Sequence, residues 1–110
     1  MFTMNPLFLA PTTLPTTTPV DYIRAAAHAG FDGVGLRLHR SPGLPFHPVV
    51  GDTPLIGDMT TALAAADLPV LDIYSFYLRP DTDVGDFVPA LELGAKFGAK
   101  FAVVMGDDID

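Results

Sequence analysis

The chain's 110 residues are enough for one domain of modest size, and 49% of them are hydrophobic against 17% charged, which excludes a disordered chain. With 6 Lys and Arg against 13 Asp and Glu, the net charge is −7, so we expect no nucleic-acid partner. The absence of cysteine excludes disulfides, thiolate nucleophiles and cysteine-bound zinc. No apolar run approaches the ~20 residues that span a bilayer, and the N-terminal residues lack a signal peptide's basic region. We therefore expect a cytoplasmic protein without membrane contact.

The first part of the chain predicts a strand, a helix and a second strand. The apolar residues 7–10 predict the first strand, and the Pro- and Thr-rich residues that follow predict a loop. Thr18 is a good N-cap and Pro19 suits the first helical position, while Gly30 can take the left-handed conformation that ends a helix. Residues 33–38 alternate apolar side chains with glycine and arginine, as a strand does.

The second part of the chain continues the alternation after a loop with four prolines at residues 40–54. A helix, a strand, a helix and a strand are predicted there, at residues 54–66, 70–76, 86–98 and 101–105. Asp52 or Thr53 is expected to cap the first of these two helices. Asp83 or Asp86 is expected to cap the third helix, with Phe87, Leu91 and Ala95 on one side of it. Gly94 is expected to make a close packing contact.

The element order is therefore β1-α1-β2-α2-β3-α3-β4, with a period of about thirty residues and a parallel sheet. Two α/β folds suit this order, an open doubly wound sheet and a partial (β/α)8 TIM barrel. Neither a G-x-G-x-x-G turn nor a P-loop follows the first strand, so nucleotide binding has no support. A complete barrel needs about 250 residues. We therefore expect residues 1–110 to form a single incomplete domain with about four parallel strands and three crossover helices.

Three segments of the chain together resemble a known family. In chain order they are AHAGFDGVGLRL, LPVLDIYSFYLRPDTDV and PALELGAKFGAKFAVV. In this register and spacing they resemble the N-terminal half of the sugar phosphate isomerase/epimerase family, which belongs to the xylose-isomerase-like TIM barrels. The resemblance covers roughly residues 7 to 107.

The resemblance implies aldose–ketose isomerisation or epimerisation of a small sugar or polyol-type substrate, by proton or hydride transfer. It also implies a divalent metal, Mn, Mg, Co or Zn, in the full-length enzyme, with ligands expected beyond residue 110. We therefore expect no metal ligand in this chain, and no activity from it alone. Relatives often have Asp-x-Glu where this chain has Asp72 and Tyr74, and some have Glu where it has Gly35. The catalytic base is accordingly unassigned.

Several polar side chains near the predicted strand ends are candidates for substrate binding. They are Arg37, His39, Asp72, Tyr74, Arg79 and Asp107.

Each candidate has a structural alternative. Arg37 binds a sugar oxygen or phosphate, or it forms an ion pair with Asp32 or Asp72. Asp72 lies within an apolar strand, and because an unpaired buried carboxylate is costly, it should have a partner, with Arg37 or Arg79 first in line. His39 and His47 flank the proline-rich loop and either orient substrate, bind metal or face solvent.

The same choice applies after the fourth strand, where Asp107 and Asp108 either bind a cation or form a capping turn.

Two other functions suit the same sequence. A stand-alone, non-catalytic α/β small-molecule binding module would need polar outer faces on its edge strands, whereas both predicted edges are apolar. A metal-dependent endonuclease-like barrel is disfavoured by the charge of −7. For the partial barrel, the open edges predict self-association.

Overall fold

The protein is an α/β structure whose four parallel strands lie side by side in chain order. The computed structural model describes residues 6–14, 16–40, 43 and 45–106. Within that part, each strand pairs in parallel with the next; the strands are β1 (Phe8–Leu9), β2 (Gly33–Arg37), β3 (Val70–Leu78) and β4 (Phe101–Gly106). A doubly wound sheet reverses its strand order at a switch point. The order found here has no reversal, confirms the predicted parallel sheet and is consistent with a partial barrel.

The first helix begins and ends at its predicted capping residues, and the second begins at its predicted capping residue. Helix α1 (Pro19–Ala29) follows Thr18, whose hydroxyl accepts a backbone hydrogen bond from the first turn, and it ends at Gly30 with φ 84°. Helix α2 (Thr53–Ala66) follows Asp52, whose carboxylate accepts a backbone hydrogen bond from the first turn. These local signals are sufficient because each satisfies backbone groups that the helix end leaves unpaired.

The third helix starts later than predicted and buries a different face. A 3-10 turn at Val84–Phe87 precedes helix α3 (Val88–Lys96). Its buried residues are Ala90, Leu93 and Gly94. Leu91 is 41% exposed, so the predicted face through Leu91 is wrong. The 3-10 turn has three residues per turn, and it therefore shifts the phase of any face counted at α-helical spacing from residue 87.

The core lies between the helices and one face of the sheet. Leu36 of β2 and Ile73 of β3 are at most 3% exposed and belong to one cluster with Ile23 of α1 and Met59 of α2. Gly94 of α3 packs on the sheet, since an added Cβ would lie 2.5 Å from Cδ1 of Ile73. The close contact predicted at Gly94 is confirmed.

Two edges of the sheet expose apolar side chains. On β4, Phe101 is 62% exposed and Val104 is 52% exposed, and Leu7, just before β1, is 66% exposed. Buried parallel strands are normally covered on both faces. The apolar edges expected from the sequence are therefore present and uncovered in the described residues.

None of the helices in the described part of the chain combines the length and apolarity needed to cross a membrane.

Candidate functional site

A carboxyl–hydroxyl pair occupies the sheet face opposite the helices, here called the inner face. The Tyr74 hydroxyl donates a hydrogen bond to Oδ2 of Asp72 at 3.3 Å. Both side chains lie over Gly35, because a Cβ added there would meet Oδ1 of Asp72 and would lie 2.8 Å from Cε1 of Tyr74. The strand register agrees, with Gly35 opposite Asp72 and Arg37 opposite Tyr74. Gly35 thus provides the space that the pair fills.

The surroundings of this pair favour its protonated forms. Partial burial raises the pKa of Asp72, and the Tyr74 hydrogen bond opposes that shift without cancelling it. Burial and the nearby Asp72 charge raise the pKa of Tyr74. The prediction that Arg37 or Arg79 partners Asp72 is wrong, because the partner is the tyrosine two residues along the same strand. A neutral hydroxyl stabilises a carboxylate less than a guanidinium does.

Tyr22 of α1 connects β1 and β2 through hydrogen bonds, beside the Gly35 position that stands opposite Asp72. Its hydroxyl lies 2.7 Å from the carbonyl oxygen of Leu9 and 2.6 Å from that of Gly35, and the residue is 4% exposed. One hydroxyl proton is shared between two acceptors. Burial, together with the nearby Tyr74 and Asp72, raises the pKa of Tyr22. No role was predicted for Tyr22, because its two acceptors are backbone carbonyls of distant segments, which the spacing of residues does not reveal.

Arg37 holds the proline-rich loop and does not pair with a carboxylate. Its guanidinium donates to the carbonyl oxygen of Pro45 and lies 5.9 Å from the ring centre of Phe46, and Arg40 lies 5.6 Å from the same ring. Burial lowers the pKa of Arg37, and the nearby Tyr77 opposes this shift. Among the described residues, the buried Nε of Arg37 has no hydrogen-bond partner.

The alternative ion pairs of Arg37 are therefore wrong. Asp32 lies just before the first residue of β2 and Arg37 is its last, so about 16 Å of strand separates them. The carboxylate of Asp32 instead accepts a hydrogen bond from the backbone N–H of Leu7 at 2.8 Å.

An open pocket of about 340 Å³, here called the rim pocket, lies where β2 and β3 end. Charged and titratable side chains from both strand ends and from the loop after β3 line it, namely His39, Arg40, Arg79, Asp81, Asp83 and Asp86. Phe87 closes its apolar side and is 9% exposed. The structure therefore brings two predicted residues, His39 and Arg79, into one pocket.

His39 is fixed in the apolar side of the rim pocket. Its ring lies 5.5 Å from that of Phe76 in a stacked arrangement and 4.9 Å from that of Phe87 in an edge arrangement. Its Nδ1 lies 3.2 Å from the carbonyl oxygen of Ser75. His47, by contrast, is exposed. Of the alternatives left open for these two histidines, solvent exposure applies to His47, whereas His39 is held by packing.

A tight turn after β3 positions the rest of the pocket. The backbone N–H of Arg79 donates to Oγ1 of Thr82 at 2.8 Å, and the N–H of Thr82 donates to the carbonyl of Arg79 at 3.0 Å. Further on, Asp83 accepts a hydrogen bond from the N–H of Gly85 at 2.9 Å and so starts the 3-10 turn. The turn thus places several carboxylates in the lining of the rim pocket.

No protein-family model and no curated protein matches this chain. The family resemblance carried by the three sequence segments accordingly stays a prediction.

The described residues do not fit a divalent metal. No group of three His, Cys, Asp or Glu side chains that could hold an ion occurs among them. On the inner face, Asp72 has a tyrosine, a glycine and Phe101 as neighbours, and none of these is a usual ligand of a hard cation. The metal expected for the full-length enzyme stays a prediction. Asp107 and Asp108 lie outside the described residues.

The predicted site residues divide between two levels. His39 and Arg79 line the rim pocket, whereas Asp72 and Tyr74 lie deeper on the inner face, beside Arg37. The rim aspartates were not singled out as binding residues, because two of them were interpreted only as helix caps. Asp81, Asp83 and Asp86 lie within a stretch of six residues after the end of a predicted strand, and this clustering was the signal that could have identified them.

A larger hollow of about 880 Å³ lies between α1 and α2. Short side chains line much of it, including Ala27, Ala62 and Ala66, and its charged groups belong to the outer helices. Ligands of α/β sheets bind at the carboxyl ends of the strands. We therefore take the smaller rim pocket as the candidate site.

Proposed function

We propose that this chain supplies part of the substrate-binding side of a sugar or sugar-phosphate isomerase or epimerase. The observation that carries the proposal is the rim pocket itself. It combines guanidinium donors with carboxylate acceptors at the carboxyl ends of two adjacent parallel strands. In barrel enzymes, functional groups come from the ends of several strands at that face.

The lining of the rim pocket suits a polyhydroxylated ligand. Arg40 and Arg79 can donate hydrogen bonds to carbonyl or hydroxyl oxygens, and Asp81 and Asp86 can accept them from hydroxyl groups. A volume of about 340 Å³ is near the lower end for small-molecule sites, which suits a compact substrate. Binding two ends of a sugar in this way would fix which carbon faces the reacting groups.

Exchange of a carbon-bound hydrogen tests the proposed chemistry. Aldoses, ketoses and their phosphate esters would be incubated in D₂O with the 110-residue chain and with the longest product of its coding gene, each with Mn, Mg, Co or Zn. Proton NMR then reports deuterium at the carbon next to the carbonyl. A hydride route is followed in the same samples by the appearance of isomer without deuterium.

We expect turnover by the longest product, and binding without turnover by the 110-residue chain. If the longest product converts no sugar under any of these conditions, the isomerase or epimerase proposal is rejected. Conversion by the 110-residue chain alone would show that its own residues suffice, contrary to our expectation.

The stand-alone binding module is the weaker proposal. Such a module would need polar edge strands, and β4 instead exposes Phe101 and Val104. The endonuclease-like barrel is weaker still, because a phosphodiester substrate would meet three rim aspartates in a chain of net charge −7.

A further inference from the structure

We propose that the rim pocket binds an uncharged polyol segment of its substrate and discriminates against a phosphate ester at that position. This inference rests on the proposed function and narrows its substrate class. Three properties of the pocket support it. Its carboxylates outnumber its guanidinium groups, its backbone N–H groups already donate to other protein atoms, and its carboxylate oxygens are accessible to a ligand.

The charge balance of the rim pocket disfavours a phosphate group. Two guanidinium groups, from Arg40 and Arg79, are outnumbered by the carboxylates of Asp81, Asp83 and Asp86. A phosphate monoester carries about −1.5 to −2 charges at neutral pH and would add to that excess. One guanidinium is also partly engaged, because Arg40 lies over the Phe46 ring.

The backbone donors that proteins often use for phosphate are already occupied here. Phosphate groups commonly bind the free N–H groups at the start of a helix. In the turn before α3, the N–H of Gly85 donates to the Asp83 side chain at 2.9 Å and the N–H of Asp86 donates to the Asp83 carbonyl at 3.0 Å. The side chain and the carbonyl of Asp83 thus already accept from the donors that a phosphate would use.

The accessible carboxylates can instead accept hydroxyl hydrogen bonds. Asp81 and Asp86 are both exposed, so a hydroxyl group can reach their oxygens and replace the water bound there. A carboxylate offers two oxygens to neighbouring hydroxyls, and Arg79 can donate to another oxygen of the same ligand. A vicinal diol would satisfy both kinds of group, whereas a phosphate would satisfy only the arginines.

Matched pairs of sugars test the inference by titration calorimetry or by chemical-shift changes on the 110-residue chain. The pairs are D-fructose with D-fructose 6-phosphate, D-xylulose with D-xylulose 5-phosphate, and D-glucose with D-glucose 6-phosphate. In at least one pair, we expect the neutral sugar to bind about fivefold more tightly. This advantage should grow at low ionic strength, because the repulsion between the phosphate and the excess of carboxylates is then less screened.

Two variants with the same charge change provide the control. Asp86→Asn removes one rim carboxylate and is expected to weaken neutral-sugar binding about tenfold and to abolish the fivefold preference over the phosphate ester. Asp58→Asn makes the same change between α1 and α2, away from the rim, and is expected to leave both affinities unchanged.

The outcomes separate this inference from the proposed function. Tighter binding of the phosphate ester in the pairs that bind, equal effects of the two variants, or no binding in any pair would each overturn the inference. None of these results bears on hydrogen exchange, which tests the isomerase or epimerase chemistry separately. Neutral-sugar binding without any exchange by the longest gene product would support the inference and reject the proposed chemistry.

Discussion

Adding one methyl group at Gly35 tests whether the inner-face pair is as closely packed as the structure shows. In Gly35→Ala, the new Cβ would lie 2.8 Å from Cε1 of Tyr74 and 3.3 Å from Cδ of Pro11, and it would be closer still to Oδ1 of Asp72. Gly35 is held in the sheet between β1 and β3, so the strand cannot easily withdraw. The side chains of Asp72 and Tyr74 must move instead.

The expected cost follows from two opposing contributions. Replacing glycine by alanine within a strand gains roughly 0.5–1 kcal/mol, because the unfolded chain loses freedom. Overpacking a filled site costs roughly 1–3 kcal/mol. The Tyr74–Asp72 hydrogen bond would also be lost, at about 1 kcal/mol. We therefore expect Gly35→Ala to lower the free energy of unfolding by about 1–3 kcal/mol.

Urea unfolding followed by circular dichroism measures this change, and Gly57→Ala is the matched control. Gly57 lies in α2 with nothing within 4 Å of an added Cβ, so the same substitution there should stabilise the protein by roughly 0.5–1 kcal/mol. In a double-mutant cycle, Asp72→Ala should relieve part of the Gly35→Ala penalty. Equal stability of the Gly35→Ala and Gly57→Ala variants would refute the packing described here.

Three further predictions concern the inner face and the open edge. Tyr22→Phe should lower the free energy of unfolding by about 1–3 kcal/mol, because two buried carbonyls lose their donor; an unchanged urea midpoint would contradict this. Since burial raises the Asp72 pKa above 3.8, the folded state binds the proton more tightly than the unfolded state and loses stability as pH rises through the folded pKa. Asp72→Asn should therefore stabilise the protein at pH 7, by up to about 1 kcal/mol, and urea melts should show this gain shrinking towards pH 4; a gain that grows on acidification would contradict it. We expect the wild-type protein to self-associate in sedimentation through its exposed apolar edge, and Phe101→Lys to weaken that association. A monomeric wild type with a cooperative melt would count against open barrel edges.

The sequence predicted those parts of the fold that depend on local chemistry. Thr18, Asp52 and Gly30 mark helix ends because each satisfies or accommodates backbone groups within its own turn. The strands were found because alternation and apolar runs are local too. The exposed side of α3 was missed at Leu91, because the 3-10 turn before the helix changes the phase and has no counterpart in hydrophobic spacing.

The partners of charged residues were harder to predict. Alternation along a strand shows which face of the sheet a side chain lies on, but not which residue of the neighbouring strand stands opposite it. Arg37 and Asp72 do share the inner face as alternation requires. However, the register sets Arg37 opposite Tyr74, two positions beyond the residue opposite Asp72, and the loop carbonyl of Pro45 reaches the guanidinium first. Neither the strand register nor the loop path can be obtained from the spacing of residues in one chain.

The same register separates Asp72 from the residues that line the rim pocket. Asp72 lies level with Gly35, whereas the backbone N–H of the first rim residue, His39, donates to the carbonyl oxygen of Tyr74, two residues beyond Asp72 on β3. A base must come within about 3 Å of the hydrogen it removes, or act through one water. Because the Tyr74 hydroxyl already donates to the Asp72 carboxylate, we expect a compact sugar bound by Arg79 and Asp86 to lie above this pair. Asp72 and Tyr74 therefore fit a role in shaping the floor beneath the pocket, and Asp72→Asn should alter stability without altering sugar affinity.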